Sequence, residues 1–388
     1  MEQLEGFKLP GKKNKVWQLH KVLYGLKQAS LSWWRTMTKL MLALGFKRCK
    51  SDAGVYYYYD KKTKALVIAI VYIDNVCFMG TKGSLLLNEL KQKFMARWEY
   101  CDLGETTEFL GMHISRDHKN QKIFIDQCKY LEKVLACFNI ATNPTHTPLP
   151  SEFSFKPNKK QCDPKFHQKY QQLVGSLMYL MIGSRLDIGF TVVKLAQQMA
   201  NSSNDHYRVG LHLCRYLLVT HRYRLVYNRL SNKLLVAYSD SDWSQDHKHY
   251  KSTTSYFTML AQEITSWLSC KQKSVVLSST EAKYMVLSDC SCQLVWTSNL
   301  LSEIGFDIPV PHLYGDNLGS LFWSTNPIQE KRSKYIDIQY HYVRDAIEDD
   351  KIKPYHIDGA RNPADILTKN LGQILFYQFH LLLGLEVL

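Results

Sequence analysis

The sequence lacks several features that would place it in familiar classes of protein. Its ten cysteines include no C-x-x-C pair, and no histidine stands near Cys290 and Cys292 at zinc-finger spacing. No apolar run approaches the roughly 20 residues that span a bilayer, and residues 1–13 contain no apolar signal region. Internal repeats and low-complexity segments are also missing. We therefore expect a soluble, unsecreted protein with reduced thiols and no membrane partner, cytoplasmic, particle-associated or nuclear.

Acidic residues are scarce in the first part of the chain. Residues 1–230 hold 35 Lys and Arg against 17 Asp and Glu, a net charge of +18, whereas residues 231–388 hold 14 against 18, a net charge of −4. This imbalance predicts polyanion binding by the first part and a carboxylate-rich site in the second. Ordinary solvated lysines would explain the basic excess equally well. The length of 388 residues and the 45% hydrophobic content favour two to three folded domains.

Within the first part, one apolar run ends on a carboxylate. Residues 65–73 are mostly apolar and partly β-branched, which predicts the buried second strand of a hairpin. Asp74 and Asn75 follow directly, and an unpaired carboxylate would be costly at a buried strand end. A hairpin turn explains the Asp-Asn pair simply, and a metal ligand explains it functionally.

Residues 231–388 have the most regular pattern of predicted elements. Strands are predicted over 234–240, 312–316 and 353–357, with short β segments after the first, a long helix over 278–305, and further helices including 362–371. This order is typical of a mixed α/β layer domain.

Four carboxylates stand at the ends of these elements: Asp240, Glu281, Asp316 and Asp365. Each has a local explanation as a helix cap or turn residue. Strand ends and helix starts of one layer can nevertheless converge at one edge, where facing carboxylates repel one another unless cations bridge them. The set therefore predicts a site for two Mg²⁺ or Mn²⁺ ions that hydrolyses a phosphodiester.

Six ordered motifs in this part resemble one family: YSDSDW, KSTTSYF, SSTEAKY, YGDN, IDIQYHYVR and ADILTK. They are similar to the ribonuclease H domain of Ty1/copia-type retrotransposon polyproteins, over nearly all of residues 234–385. The resemblance implies that the four acids of that domain fall on Asp240, Glu281, Asp316 and Asp365. Lys283 and Gly315 depart from the family, which usually has an acid and a cysteine there, and neither is expected to be catalytic.

The first part resembles the reverse transcriptase of the same elements. The similar segments are LHKVLYGLKQASLSWW (19–34), VYIDNVCF (71–78) and DLGETTEFLGMHI (102–114). The resemblance makes Asp74 the first acid of a Tyr-x-Asp-Asp motif, with Asn75 in place of the second acid. It also places the third acid on a palm strand that would precede Met1. Polymerase activity is therefore expected to be largely lost.

This resemblance makes Lys27 and Gln28 candidates for triphosphate or template contacts. Lys12 and Lys13 are candidates for phosphate contacts because of their charge. A helix-entry loop and a solvated basic loop are the simpler explanations.

Together these features predict an α/β protein in three parts. Residues 1–150 would be a partial reverse transcriptase, an α+β palm remnant that lacks its first catalytic strand. Residues 151–230 would be a helical connection, and residues 231–388 a ribonuclease H-like domain with a mixed sheet flanked by helices.

The predicted function is hydrolysis of RNA in RNA–DNA hybrids, with RNA template and DNA primer as further partners. An inactive nucleic-acid-binding remnant is the alternative. An integrase-type nuclease is disfavoured by the position of Glu281 on the long helix, with further acids at Asp316 and Asp365.

Overall fold

The computed structural model describes residues 3, 5–7, 11, 14–81, 84–98, 100–140, 143–158, 162–229, 232–242, 251–276, 278–326 and 338–387. The chain forms two compact units, Met1–Leu103 and Gly104–Leu388. The sequence-based boundaries at residues 150 and 230 both fall inside the second unit, and the three-part division stays a prediction.

The first unit is an antiparallel sheet with two helices. Its elements are α1 (Ala29–Ala43), β1 (Lys47–Arg48), β2 (Val55–Tyr59), β3 (Leu66–Tyr72), β4 (Asn75–Gly80) and α2 (Leu86–Met95). The strands pair in chain order, β1-β2-β3-β4. Alternation along β3 buries Val67 and Ala69, which pack with Met41 of α1 and Phe94 of α2. This small core holds the predicted hairpin in place.

A second antiparallel sheet opens the second unit and is completed by the end of the chain. It contains β5 (Glu108–Phe109), β6 (Met112–Asp117), β7 (Lys122–Asp126), β8 (Tyr223–Tyr227) and β14 (Leu385–Val387), in the order β14-β8-β7-β6-β5. Between β7 and β8 lie α3 (Cys128–Cys137), α4 (Pro164–Gly183), α5 (Gly189–Ala196) and α6 (Asn204–Val219). The last three of these helices, α4, α5 and α6, lie within residues 151–230, the predicted helical connection, whereas α3 precedes it.

The third sheet mixes antiparallel and parallel pairing. Its strands are β9 (Leu235–Ser241), β10 (Thr253–Leu260), β11 (Glu263–Lys271), β12 (His312–Gly315) and β13 (Lys353–His356), in the order β11-β10-β9-β12-β13. The first three are an antiparallel meander, and β12 runs parallel to both β9 and β13. Its helices are α7 (Ser279–Glu303), α8 (Leu318–Thr325), α9 (Tyr342–Glu348) and α10 (Gln373–Leu381). The predicted mixed α/β fold class is confirmed.

One predicted helix is wrong. Residues 362–371 do not form an α-helix; Pro363–Leu367 make a short 3₁₀ turn, and α10 begins later at Gln373. The Asn362 side chain accepts a hydrogen bond from the Ala364 amide and donates another to the Ser239 carbonyl on β9. This bond to a neighbouring strand fixes the turn, and local sequence does not reveal it.

A single hydrophobic core joins the helical connection to the third sheet. Leu186 and Ile188, between α4 and α5, are buried in the same cluster as Phe257 of β10 and Leu367 of the 3₁₀ turn. The Trp267 indole of β11 donates to the Met181 carbonyl of α4 at 2.8 Å. Residues on both sides of position 230 are therefore packed as one body.

Candidate active site

The centre of the candidate site is Asp240, near the carboxyl end of β9. β9 is the middle strand of the third sheet, and Ser255 of β10 pairs with Asp240. Asp240 is 0% exposed. A fully buried carboxylate is stable only when hydrogen bonds or cations compensate its lost hydration.

Asp316 reaches the same edge because β12 is parallel to β9. The register pairs Tyr314 with Tyr238, and two residues later both strands reach an aspartate. Asp365 comes from the 3₁₀ turn that Asn362 ties to the end of β9. We call Asp240, Asp316 and Asp365 the aspartate cluster.

Two lysine ammonium groups lie among these carboxylates. Lys283 Nζ of α7 is 3.0 Å from Asp240 Oδ1 and also donates to both carboxylate oxygens of Asp316. Lys369 Nζ is 2.7 Å from Asp365 Oδ1 and 3.6 Å from Asp240 Oδ2. The protein itself therefore supplies cations to its own acidic cluster.

A hydroxyl completes the contacts of Asp240. Thr368 Oγ1 donates a short hydrogen bond to Asp240 Oδ2 and lies 3.3 Å from the Asp365 carbonyl oxygen. Thr368 is itself fully buried. Asp240 therefore accepts hydrogen bonds through both of its carboxylate oxygens, which compensates for its burial.

Burial and neighbouring charges move the pKa values of the cluster in opposite directions. Burial raises the pKa of Asp240, but Lys283 and Lys369 outweigh burial and leave that pKa below its ordinary value. Burial first, and the Asp240 charge next, raise the pKa of Asp365 to about 7. Burial lowers the pKa of Lys283, but Asp240 and Asp316 outweigh it and leave the pKa raised. Two ammonium groups thus face two carboxylates and a third that is partly protonated near neutral pH.

Glu281, the fourth predicted ligand, occupies a different face of α7. Its backbone amide donates to the Ser278 hydroxyl at 3.1 Å, so Ser278 caps the helix. Successive helical residues are rotated by about 100°, so the Glu281 and Lys283 side chains point about 160° apart around the helix axis. Lys283 points to the aspartate cluster, which directs Glu281 away from it. Of the four predicted acids, the structure brings together three.

Among the described residues, no three His, Cys, Asp or Glu side chains are arranged as ligands of a metal ion. Lys283 and Lys369 contact the aspartate cluster, and the sequence did not predict either contact. The signal was present, since Lys283 stands where the resemblance expects an acid. Only the rotational position of α7 reveals that this side chain points at Asp240.

Asp74 lies in the two-residue turn between β3 and β4 and is exposed. The expectation of a buried strand end is therefore wrong at this position, because β3 leaves the core two residues earlier, at Tyr72. Trp33 Nε1 of α1 donates to the Ile73 carbonyl at 3.0 Å, and Asn75 pairs with Tyr72 as the first residue of β4. A solvated Asp74 has no burial cost to compensate, and its role as a metal ligand stays a prediction.

The other predicted contact residues lie in the first unit. Lys27 and Gln28 are exposed immediately before α1. Lys12 and Lys13 lie outside the described residues.

The described helices include none that is both long enough and apolar enough to cross a membrane. All ten cysteines are free thiols. Neither observation bears on the aspartate cluster.

Comparison with known proteins agrees with the sequence motifs. Residues 1–151 match the family model described as reverse transcriptase (RNA-dependent DNA polymerase). The Pol polyprotein of transposon TNT 1-94 from Nicotiana tabacum is 33% identical over 377 residues, 95% of this chain and 28% of that protein. The Pol polyprotein of transposon RE1 from Arabidopsis thaliana is 33% identical over 383 residues, 98% of this chain and 26% of that protein.

A solved structure of the N-terminal RNase H domain of Rv2228c from Mycobacterium tuberculosis, fused to maltose-binding protein, is also similar. It covers 39% of this chain and 98% of that chain, at 9% identity and a TM-score of 0.26. The mixed α/β fold class rests on the strand order β11-β10-β9-β12-β13 and not on this likeness.

The sequence matches define the class as that of retrotransposon Pol polyproteins, to a segment of which this chain corresponds, with reverse transcriptase sequence over residues 1–151. Within this class, the chain belongs to the family of copia-type Pol polyproteins. It spans about a quarter of the length of the two relatives named above.

Proposed function

We propose that this chain hydrolyses the RNA strand of RNA–DNA hybrids at the aspartate cluster, with Mg²⁺ or Mn²⁺ as cofactor. The observation that carries the proposal is the convergence of Asp240, Asp316 and Asp365 from two parallel strand ends and one anchored turn. Membership of the copia-type Pol family indicates a nucleic-acid-processing enzyme. Hydrolysis of the RNA strand is the specific activity that we propose.

The donor atoms of the cluster suit a divalent cation, because carboxylate oxygens are the ligands that Mg²⁺ prefers. In the structure two ammonium groups balance the charge of these carboxylates, and the described side chains are not arranged as metal ligands. Asp240, Asp316 and Asp365 would hold the metal once those ammonium groups moved aside. When bound, it would activate water and stabilise the leaving oxygen of the phosphodiester.

The remaining groups position the cluster. Thr368 fixes one oxygen of Asp240, and the other oxygen accepts from the Lys283 ammonium group. Asn362 holds the 3₁₀ turn against the end of β9 and thereby places Asp365. Buried positioning of this kind reduces the reorganisation needed when substrate binds.

The charge distribution supports a polyanionic substrate. The net charge of +18 over residues 1–230 would attract the phosphates of a hybrid, which the net −4 of residues 231–388 would not. RNA template and DNA primer would meet the same basic residues. With Asn75 in place of a second acid, we expect little nucleotide addition. Ten free thiols favour a reducing compartment, the cytoplasm or the nucleus.

The test is cleavage of a 5′-labelled RNA annealed to DNA by the purified chain in Mg²⁺ and in Mn²⁺. We expect cutting, and we expect Asp240→Asn to reduce the rate by more than about 100-fold, because it removes the central ligand. Circular dichroism and thermal melting would establish that the variant is folded.

A second candidate function is hybrid binding without cleavage, which the position of Lys283 between two carboxylates favours. A folded wild-type chain that binds hybrid and leaves its RNA intact at every metal concentration would contradict the proposed hydrolysis. Cleavage retained in Asp240→Asn would place the reaction elsewhere.

A further inference from the structure

One face of α7 lies against the aspartate cluster. One turn after Lys283, the Leu287 side chain lies against Gly315: a Cβ built there would be 3.2 Å from Leu287 Cδ2. One turn before Lys283, the Thr280 side chain lies against Gly319 of α8: a Cβ built at Gly319 would be 3.1 Å from Thr280 Cγ2. Thr280, Lys283 and Leu287 therefore form one stripe of the helix, directed at the end of β12 and the start of α8.

Lys283 is the residue of this stripe that reaches the carboxylates. Its ammonium group contacts Asp240 and Asp316, which come from two different strands. Its side chain is 17% exposed, whereas that of Asp240 is 0% exposed and that of Asp316 is 9% exposed. The cation is thus enclosed with its two partners and is poorly screened by solvent.

A divalent cation bridging these two aspartates would need the same oxygen atoms. A protein ammonium group that is covalently attached has a high effective concentration beside them. Metal binding at this place must therefore displace Lys283, and the displaced ammonium would remain close to the metal charge.

We propose that Lys283 competes with the divalent cation for the aspartate oxygens. We also propose that the residue of α7 that faces the metal site is at position 283, not at position 281. A carboxylate at position 283 would add a fourth acidic ligand, while a neutral side chain would only remove the competitor. This inference rests on the proposed function, because it takes the aspartate cluster as the metal site.

The test measures Mn²⁺ binding to the full chain without nucleic acid, by titration calorimetry and by electron paramagnetic resonance of free Mn²⁺. We expect Lys283→Met to bind Mn²⁺ more tightly than wild type. Lys283→Glu is expected to bind most tightly, with a gain of about 10- to 100-fold. These two variants test charge removal and carboxylate addition separately.

Two control variants isolate position from charge. Lys351→Glu makes the same charge reversal at a residue whose ammonium group pairs with Asp349, 2.7 Å away, and it should leave the affinity unchanged. Glu281→Gln removes the acid two residues from Lys283 and should also leave the affinity unchanged. A gain in Lys351→Glu equal to that in Lys283→Glu would reduce the effect to net charge and overturn the inference.

Failure of the inference is distinguishable from failure of the proposed function. If Asp240→Asn weakens Mn²⁺ binding but neither Lys283 variant strengthens it, the metal site stands and the competitor is refuted. If Asp240→Asn binds as wild type does, the cluster is not the metal site and both proposals fail. A loss of more than about tenfold in Glu281→Gln would assign the α7 ligand to position 281 and overturn the inference.

Discussion

At the scale of single residues, the second unit contains a buried ion pair outside the aspartate cluster. Arg185 donates to both oxygens of Asp187 at 2.9 and 2.7 Å, and the Tyr216 hydroxyl donates to Asp187 at 2.8 Å. Arg185 also bonds to Thr220 at the end of α6. Both charged residues are 2% exposed, so each depends on the other for compensation.

We predict that Arg185→Met lowers the free energy of unfolding by about 3–5 kcal/mol, because it leaves the Asp187 carboxylate buried without its partner. Burial raises the pKa of Asp187, but Arg185 outweighs burial and the pKa is lowered. The stabilisation is therefore present above the unfolded value of 3.8 and is lost as pH falls through the folded pKa. Urea unfolding at several pH values measures both effects. The double variant Arg185→Met with Asp187→Leu is the control, because it removes both charges.

If Arg185→Met unfolded at the same urea concentration as wild type, the ion pair would have no structural role. A stability loss in Arg185→Met that the double variant does not recover would assign the cost to packing instead of to the unpaired charge.

At the scale of secondary-structure elements, sequence patterns located most of the strands and helices of the third sheet. β9, β12, β13 and α7 lie within two residues of their predicted bounds, because strand hydrophobicity and the Ser278 cap are local signals. The residues over 362–371 were misassigned, because the hydrogen bond of Asn362 to β9 is tertiary. The local sequence therefore predicted the start of α7, whereas the 3₁₀ conformation of residues 363–367 depends on a tertiary hydrogen bond.

The candidate site was predictable only in part. The strand ends placed Asp240 and Asp316 correctly at one edge, since parallel neighbours bring their carboxyl ends together. The choice between Glu281 and Lys283 depends on the rotation of α7, which the mixed hydrophobic pattern of this helix does not define. Asp74 was expected to be buried because the apolar run continues to Ile73, which instead lies exposed in the turn.

The packing of α6 against α4 gives a test at this scale. A Cβ at Gly210 of α6 would lie 2.6 Å from Leu173 Cδ2 of α4, whereas a Cβ at Gly175 of α4 would meet nothing within 4 Å. We predict that Gly210→Ala destabilises by about 1–3 kcal/mol through overpacking. Gly175→Ala, the matched control, should stabilise by about 1 kcal/mol through helix propensity.

Chemical denaturation of the two glycine variants gives these values. Equal effects of the same substitution at both positions would show that the α4–α6 contact is looser than the structure indicates.

At the scale of the whole molecule, the first and last strands of the second unit belong to one sheet. β14, at residues 385–387, pairs with β8, which pairs in turn with β7 near the start of the unit. The hydrophobic cluster that contains Leu131 also contains Leu385. The third sheet and the helical connection are therefore expected to fold together.

We predict that a fragment of residues 231–388 does not fold cooperatively, because it exposes the core faces of β10, the 3₁₀ turn and α10 that the helical connection covers. A fragment of residues 104–388 should unfold in one cooperative transition. Far-ultraviolet circular dichroism during urea unfolding, with binding of a hydrophobic dye, compares the two. A sharp, dye-free transition of residues 231–388 would contradict this account of the shared core.

The decisive experiment is the cleavage rate of hybrid RNA as Mg²⁺ is titrated, for wild type, Lys283→Glu and Asp240→Asn. We expect Lys283→Glu to cut faster than wild type and to reach its maximal rate at a lower Mg²⁺ concentration, and Asp240→Asn to cut more than about 100-fold more slowly. A Lys283→Glu curve that coincides with the wild-type curve would refute the role given to Lys283, and an Asp240→Asn rate equal to that of wild type would refute the role given to the aspartate cluster.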